Sequence, residues 1–198
     1  MPSTPSGAVN LKQTINHRFS TGAMILFVLG VAVSWFILFR FNAWFFSGIQ
    51  ITFFINWIFL PAAIRMLAVM VGGWAGVMGL FLGAVVTNLE QLRYEPFNIV
   101  ILAGLSALGP LVAVQLCTRW LQLPSDLAGL KRSQLLVFAV AGAVFITFPH
   151  NLYFYFTGLS PDAWSGIVPM FVGDLVGTLI VLYLASFSLK LFAKTAQT

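Results

Sequence analysis

One stretch of forty residues, 49–88, constrains this chain more than any other because it holds a single charge, Arg65. A continuous helix of that length would extend about 60 Å, roughly twice the hydrocarbon thickness of a bilayer. The stretch must therefore fold back, and Gly72-Gly73 is the natural turn because glycine adopts the backbone angles that tight turns require. The sequence predicts a helical hairpin within a membrane, with Pro61 breaking its first arm.

The composition extends this conclusion to the whole chain. Only 8% of its 198 residues are charged and 60% are hydrophobic, whereas soluble domains carry about 25% charged residues. Six apolar runs of spanning length fit the chain, near 23–39, 49–71, 74–88, 97–116, 134–156 and 166–189. We predict an all-α fold, a polytopic transmembrane helical bundle of about six spans. A polar tail at 1–20 precedes the single transmembrane domain, 21–192, and a short tail at 193–198 follows it.

The basic residues predict the orientation of the bundle. If the N-terminus is cytoplasmic, seven Lys and Arg residues fall on the inner side and only Arg40 and Arg93 on the outer side. Cytoplasmic loops of membrane proteins carry such an excess, so we predict that both termini are cytoplasmic. The surplus of ten basic over five acidic residues then reflects orientation in a lipid bilayer and does not indicate a nucleic-acid partner.

The sequence contains no signature of a soluble enzyme. It lacks a phosphate-binding loop, and its single cysteine, Cys117, excludes an internal disulfide and a cysteine-based metal cluster. The two histidines, His17 and His150, are far apart in the chain. We therefore expect no catalytic residues, no metal and no cofactor.

Two patterns predict how the helices pack. Four glycines at steps of four, three and four share one helix face, which lets a neighbouring backbone come close: Gly72, Gly76, Gly79 and Gly83. We expect this stripe to pack within the protein, with a partner helix as the alternative. An aromatic belt at the membrane interface is expected from Trp35, Trp44, Phe45 and Phe46.

Arg65 and Asp174 are the clearest ionisable residues within the predicted spans, where charged groups are costly and usually functional. Counted along straight helices, their depths differ by about 10 Å. The sequence therefore does not favour a direct ion pair between them. Arg65 has a second interpretation, in which its long side chain extends to the inner headgroups.

Other polar side chains fall in the same outer half of the predicted membrane as Asp174. We predict a polar, ligand-binding cavity there, formed by Asp174, His150, Asn151, Asn56, Arg65 and Tyr153, with Trp57 and Tyr155 as further walls. The alternative is a set of interhelical hydrogen bonds that only hold the bundle together, each contributing about 0.6 kcal/mol.

Short motifs in this chain resemble a known family. They are LPAAIR at 60–65, GGWAG at 72–76, FLGA at 81–84 with Asn88 beyond it, LGPL at 108–111 and GDLVGT at 173–178. Together they are similar to bacterial membrane-associated sensor (MASE) domains of the first class, over about residues 60–178.

The resemblance implies an inner-membrane sensory module in a bacterial cell. In that family the sensor usually has about eight spans and is fused to a histidine kinase or a cyclic-di-GMP enzyme, and the present sequence carries no such output domain. We therefore expect a sensory or ligand-binding module that acts through a partner protein and binds a small molecule. Two alternatives remain: the substrate-binding component of an energy-coupling-factor (ECF-type) transporter, and an accessory or scaffold subunit of a membrane complex.

Overall fold

The computed structural model describes residues 20–52, 54–89, 95–120, 132–160 and 164–195. Most of the predicted N-terminal tail, with His17, lies outside these residues, as do Arg93 and residues 196–198. Residues 193–195, predicted to belong to the C-terminal tail, continue the last helix.

Six α-helices make up most of the described chain: α1 (Thr21–Phe45), α2 (Pro61–Gly72), α3 (Trp74–Leu89), α4 (Pro96–Trp120), α5 (Arg132–Phe156) and α6 (Ile167–Thr195). Four of them, α1, α4, α5 and α6, are long and apolar enough to cross a membrane, which confirms the predicted all-α membrane fold. The other two have 12 and 16 residues. They extend about 18 and 24 Å, against a hydrocarbon core of about 30 Å, so a count of six spans stays a prediction.

The predicted second span, 49–71, is helical only in its second half. A 3₁₀ turn, Ser47–Ile49, leads into two short antiparallel strands, β1 (Gln50–Thr52) and β2 (Ile55–Asn56), and α2 begins only at Pro61. Proline suits the first position of a helix because its missing N–H has no intrahelical partner there. An apolar run gives the same hydropathy whether it is helical or extended, and β-branched residues at 51, 52 and 55 favour the extended form.

The predicted turn between the two arms of the hairpin is confirmed. Gly73 separates α2 from α3 with φ of 53° and ψ of −122°, a conformation that residues with a Cβ rarely adopt. Its N–H donates to the carbonyl of Val69, which closes the end of α2. The second arm, predicted at 74–88, coincides with α3.

Helix α2 runs antiparallel to α1. The N–H of Leu60, just before α2, donates to Oδ1 of Asn42 near the end of α1, whereas Gly72 at the end of α2 lies against Phe27 near the start of α1. Helix α3 then turns back beside α1. This arrangement places the first half of α2, with Arg65, inside the bundle.

The glycine stripe of α3 packs within the protein, as predicted. A Cβ built on Gly79 would lie 2.7 Å from the carbonyl oxygen of Val28, and one built on Gly83 would lie 2.8 Å from the indole of Trp35. Neither distance leaves room for a methyl group. Gly79 and Gly83 are therefore covered by α1, and Gly76 lies against the carbonyl oxygen of Ala68 in α2. Gly72, predicted to share this helix face, is instead the last residue of α2.

Prolines lie inside two of the long helices without ending them. Gly109-Pro110 would be expected to interrupt the fourth span, but α4 continues through both residues, and α5 likewise continues past Pro149. Gly109 brings α4 close to α5, with its Cβ position 2.9 Å from the carbonyl oxygen of Phe145. Packing of this kind allows a proline within a membrane helix.

Candidate functional site

Arg65 and Asp174 form a buried ion pair between α2 and α6. Nη1 of Arg65 lies 3.0 Å from Oδ2 of Asp174, and the two side chains are only 4% and 3% exposed. The sequence did not favour this contact, and that prediction is wrong. It placed Arg65 too deep because it treated residues 49–60 as helical, whereas Arg65 lies only one turn into α2. The same burial rules out a side chain that extends to the headgroups.

The guanidinium group of Arg65 also lies against two aromatic rings that contact each other. Its Cζ lies 5.0 Å from the ring centroid of Trp35 and 4.9 Å from that of Phe59. Trp35 is 2% exposed and donates from Nε1 to Oγ1 of Thr87 at 3.3 Å, so its predicted place in an interfacial belt is wrong. Cation–π contacts of this kind are worth about 2 kcal/mol when they are desolvated. The aromatic pair therefore compensates part of the cost of burying the charge.

The segment before α2 runs as non-helical backbone along a glycine face of α6. The N–H of Phe59 donates to the carbonyl of Gly173 at 3.0 Å. A Cβ on Gly173 would lie 2.0 Å from the carbonyl oxygen of Asn56, and one on Gly177 would lie 2.0 Å from that of Phe59. The two glycines thus receive an extended strand of backbone, where the sequence predicted a helix. This contact fixes the register that brings Asp174 to Arg65.

Asn42 holds the other side of this segment, and no role was predicted for it. Its amide is 2% exposed, donates to the carbonyl of Ile58 at 3.0 Å and accepts from the N–H of Leu60 at 2.9 Å. These two bonds satisfy backbone groups that a strand or helix would otherwise satisfy. The missed signal was the length of α1: the predicted span stopped at residue 39, whereas α1 continues to Phe45 and keeps Asn42 on its inner face.

A cavity of about 40 Å³ lies beside the ion pair, and all six helices of the described chain contribute to its wall. Its aromatic side comprises Trp35, Phe39, Phe54, Phe59 and Phe154. Its polar side comprises Arg65, Thr87, Asn88, Ser106 and His150, and Ala84, Leu102 and Met170 complete the lining. A space of this size holds about three water molecules.

His150 contributes an imidazole of fixed orientation to the polar side. Its Nδ1 lies 2.8 Å from the carbonyl oxygen of Ile146, and its Nε2 lies 3.2 Å from Oγ of Ser106. A carbonyl only accepts, so Nδ1 carries the proton, and Nε2 of the neutral ring accepts from the Ser106 hydroxyl. Ser106, which no motif indicated, thereby presents a hydroxyl in the wall of the cavity.

Two of the six predicted site residues, Arg65 and His150, line the cavity, and Asp174 is joined to it through Arg65. Asn151 is buried between α5 and α6, where its Nδ2 donates to the carbonyl of Thr147 at 2.9 Å. Asn56 is buried as well, with its backbone carbonyl against Gly173.

The predicted aromatic walls lie elsewhere. Tyr153 is half-buried and donates to Oδ1 of Asn98, away from the cavity. Trp57 is 41% exposed and Tyr155 is 50% exposed, so neither closes the cavity. The walls come instead from Trp35 and from phenylalanines that the sequence analysis did not single out.

Several buried polar atoms of this region are unsatisfied. Within the described residues, four such atoms have no hydrogen-bond partner: Nε of Arg65, Oδ1 of Asp174, Oδ1 of Asn151 and Oγ1 of Thr147. Each unsatisfied group costs about 1–3 kcal/mol, and native proteins contain few. Two of the four belong to the ion pair itself, which leaves hydrogen-bonding capacity unused beside the cavity.

No group of three His, Cys, Asp or Glu side chains suited to a metal ion occurs in the parts of the chain that the structure describes. The chemistry of the site is therefore that of one ion pair, one neutral imidazole, hydroxyl and amide groups, and aromatic walls. Such a set suits the binding of a small polar molecule.

Comparison with models of known protein families, with curated proteins and with solved structures found no match to this chain.

Proposed function

We propose that this protein is an integral membrane ligand-binding module of the sensory kind, which acts through a partner protein. The observation that supports the proposal most is the position of Arg65. Its side chain lines the polar cavity and at the same time holds α6 through Asp174. A molecule bound in the cavity would therefore contact the group that links two helices.

The energetics of the site favour a ligand site over simple helix contacts. A buried ion pair is weak evidence for stability, because the desolvation of both charges offsets their attraction. Here the pair keeps Arg65 Nε and Asp174 Oδ1 unsatisfied as well. A cluster that served only to hold helices together would satisfy these atoms or replace the charges by apolar side chains.

The topology that suits this function has both termini in the cytoplasm of a bacterial cell, with the bundle in the inner membrane. The excess of basic residues on one side supports the orientation. The MASE resemblance supports the membrane and the use of a kinase or cyclase as partner. Under this proposal the cavity faces the outer half of the bilayer.

A transport role has less support, because the face of small residues that could dock a coupling protein is occupied. The glycine stripe of α3, at Gly79 and Gly83, lies against α1. An ECF-type component would need another docking face. We therefore keep transport and a scaffold role as the alternatives that the following experiments separate, and we propose no enzymatic activity.

Cavity-dependent binding tests the proposal directly. Small polar compounds are screened by thermal unfolding of the full chain in dodecyl maltoside. The variant Ser106→Leu fills the cavity, and Ser34→Leu makes the same change on the exposed face of α1 as a matched control. We expect at least one compound to raise the Tm of the wild type and of Ser34→Leu but not of Ser106→Leu. A screen without any such compound contradicts the proposal and supports the scaffold role.

The partner is tested by cross-linking and purifying the full chain from its native membranes. A histidine kinase or a cyclase among the specific cross-linked proteins supports signalling. A pair of transport ATPases supports the ECF-type alternative, and the subunits of a stable complex support a scaffold.

A further inference from the structure

The polar side of the cavity contains the guanidinium group of Arg65, whose hydrogen-bond donors are only partly used. Arg65 places one amino group, Nη1, on Asp174, whereas its Nε has no partner among the described residues. A guanidinium group offers five N–H donors in a planar fork that matches an oxyanion in a bidentate manner. The rings of Trp35 and Phe59 lie 5.0 and 4.9 Å from its Cζ and restrict its movement.

We propose that the cavity binds a small oxyanion, of the carboxylate class, which competes with Asp174 for the guanidinium of Arg65. The inference rests on the proposed function and adds the chemical class of the ligand. Asp174 acts in the empty protein as an internal counter-ion. The bound oxyanion takes over part of that role.

The size and the lining of the cavity limit the ligand further. A volume of about 40 Å³ admits a molecule of formate or acetate size and excludes an aromatic ring. The aromatic residues of the wall keep the charge pair out of water. A small cation is a poor ligand for this cavity, because the positive charge of Arg65 repels it. The carboxylate of Asp174 is already paired with Arg65 and does not line the cavity.

Competition with Asp174 also provides a route for a signal. Asp174 and Arg65 join α6 to α2, and α6 is the helix that leads to the C-terminal end of the described chain. An oxyanion that draws the guanidinium away weakens this link. A partner protein bound near the end of α6 could then detect the change in the contact between α2 and α6.

Removal of the internal competitor gives the sharpest test. Asp174→Asn keeps the shape of the side chain and removes its charge, so we expect formate to bind more tightly than to the wild type, by about five- to 150-fold. Arg65→Gln removes the cation and should abolish binding. Ser34→Ala, on the exposed face of α1, is the matched control and should bind like the wild type.

Binding is measured by calorimetric titration of the full chain in dodecyl maltoside, which carries no phosphate, so that a lipid headgroup is not the source of the anion. Formate is compared with formamide, a neutral molecule of the same size, at constant ionic strength set with chloride. The wild type should bind formate and not formamide. The comparison of formate with formamide uses only the wild type, so it decides the ligand class even if Asp174→Asn does not fold.

Three results overturn the inference. They are equal binding of formamide and formate, formate binding that persists in the cavity-filling Ser106→Leu variant, and weaker formate binding to folded Asp174→Asn than to the wild type. Cavity-dependent binding of neutral compounds alone overturns the oxyanion class and leaves the proposed function intact. Loss of all cavity-dependent binding overturns both.

Discussion

The contact between α6 and the extended segment before α2 predicts a strong effect of one methyl group. In Gly173→Ala the new Cβ would lie 2.0 Å from the carbonyl oxygen of Asn56, whereas ordinary contact begins near 3.4 Å. The backbone must therefore separate by about 3.4 − 2.0 = 1.4 Å. The same movement stretches the hydrogen bond from Phe59 to the Gly173 carbonyl and shifts Asp174 relative to Arg65.

Two opposing contributions determine how much Gly173→Ala changes the free energy of unfolding. Overpacking of a well-packed site costs about 1–3 kcal/mol. Replacement of a helical glycine by alanine gains about 0.5–1 kcal/mol through helix propensity. For Gly173→Ala we therefore expect a net loss of about 1–2 kcal/mol in the free energy of unfolding.

Gly104→Ala is the matched control, because Gly104 lies within α4 and a Cβ built on it meets nothing within 4 Å. It should gain up to about 1 kcal/mol from helix propensity alone. Both variants are compared with the wild type by reversible unfolding in mixed detergent micelles. Equal stability of the Gly173 and Gly104 variants would refute the close approach of the segment to α6.

Three further predictions concern the groups that place Arg65. Asn42→Ala removes both hydrogen bonds to the extended segment and should cost about 1–3 kcal/mol of unfolding free energy in the same assay; an unchanged stability would show that Asn42 does not hold the segment. Gly73→Ala forces a side chain into positive φ and should cost about 1–3 kcal/mol, and a neutral effect would argue against the single-residue turn. Trp35→Phe loses the hydrogen bond to Thr87 and should cost about 0.5–1.5 kcal/mol of unfolding free energy. Trp44→Phe is the control, because Trp44 is 74% exposed, and it should change the unfolding free energy by less than about 0.5 kcal/mol. Equal effects of the two variants would contradict the burial of Trp35.

Hydropathy and turn chemistry were sufficient to predict most of the fold. The apolar runs located α1, α3, α4, α5 and α6, and Gly72-Gly73 located the turn of the hairpin. The spacing of Gly76, Gly79 and Gly83 predicted their packing within the protein, whereas Gly72 lies on the other helix of the hairpin. These features depend on local sequence, so a single chain contains the information that they require.

The residues around the ion pair were harder to predict, because their conformations depend on distant parts of the chain. Gln50–Thr52 and Ile55–Asn56 form two short antiparallel strands, although the hydropathy of this part of the chain also suits a membrane helix. Because of this misassignment, the predicted difference in depth between Arg65 and Asp174 was too large for an ion pair, which the structure shows. Trp35 was likewise placed at an interface, and the first predicted span stopped before Asn42, since nothing local distinguishes a buried face of α1 from an exposed one.

Serine 106 illustrates a second limit. Ser106 acquires its role only from its contact with His150, which is 44 residues away in the sequence. A lone serine in an apolar helix has no pattern that indicates a site. His150, by contrast, was predicted from its chemistry alone, because an ionisable group within a membrane span is uncommon.

The central claim is that Arg65 and Asp174 compensate each other within the bundle, and a double-mutant cycle tests it most directly. The unfolding free energies of Arg65→Met, Asp174→Leu and the double variant are compared with that of the wild type. Each single change leaves one buried charge uncompensated and should cost about 3–5 kcal/mol, whereas the double variant should be about as stable as the wild type. Costs that simply add in the double variant would show that the two side chains do not interact and would contradict the account.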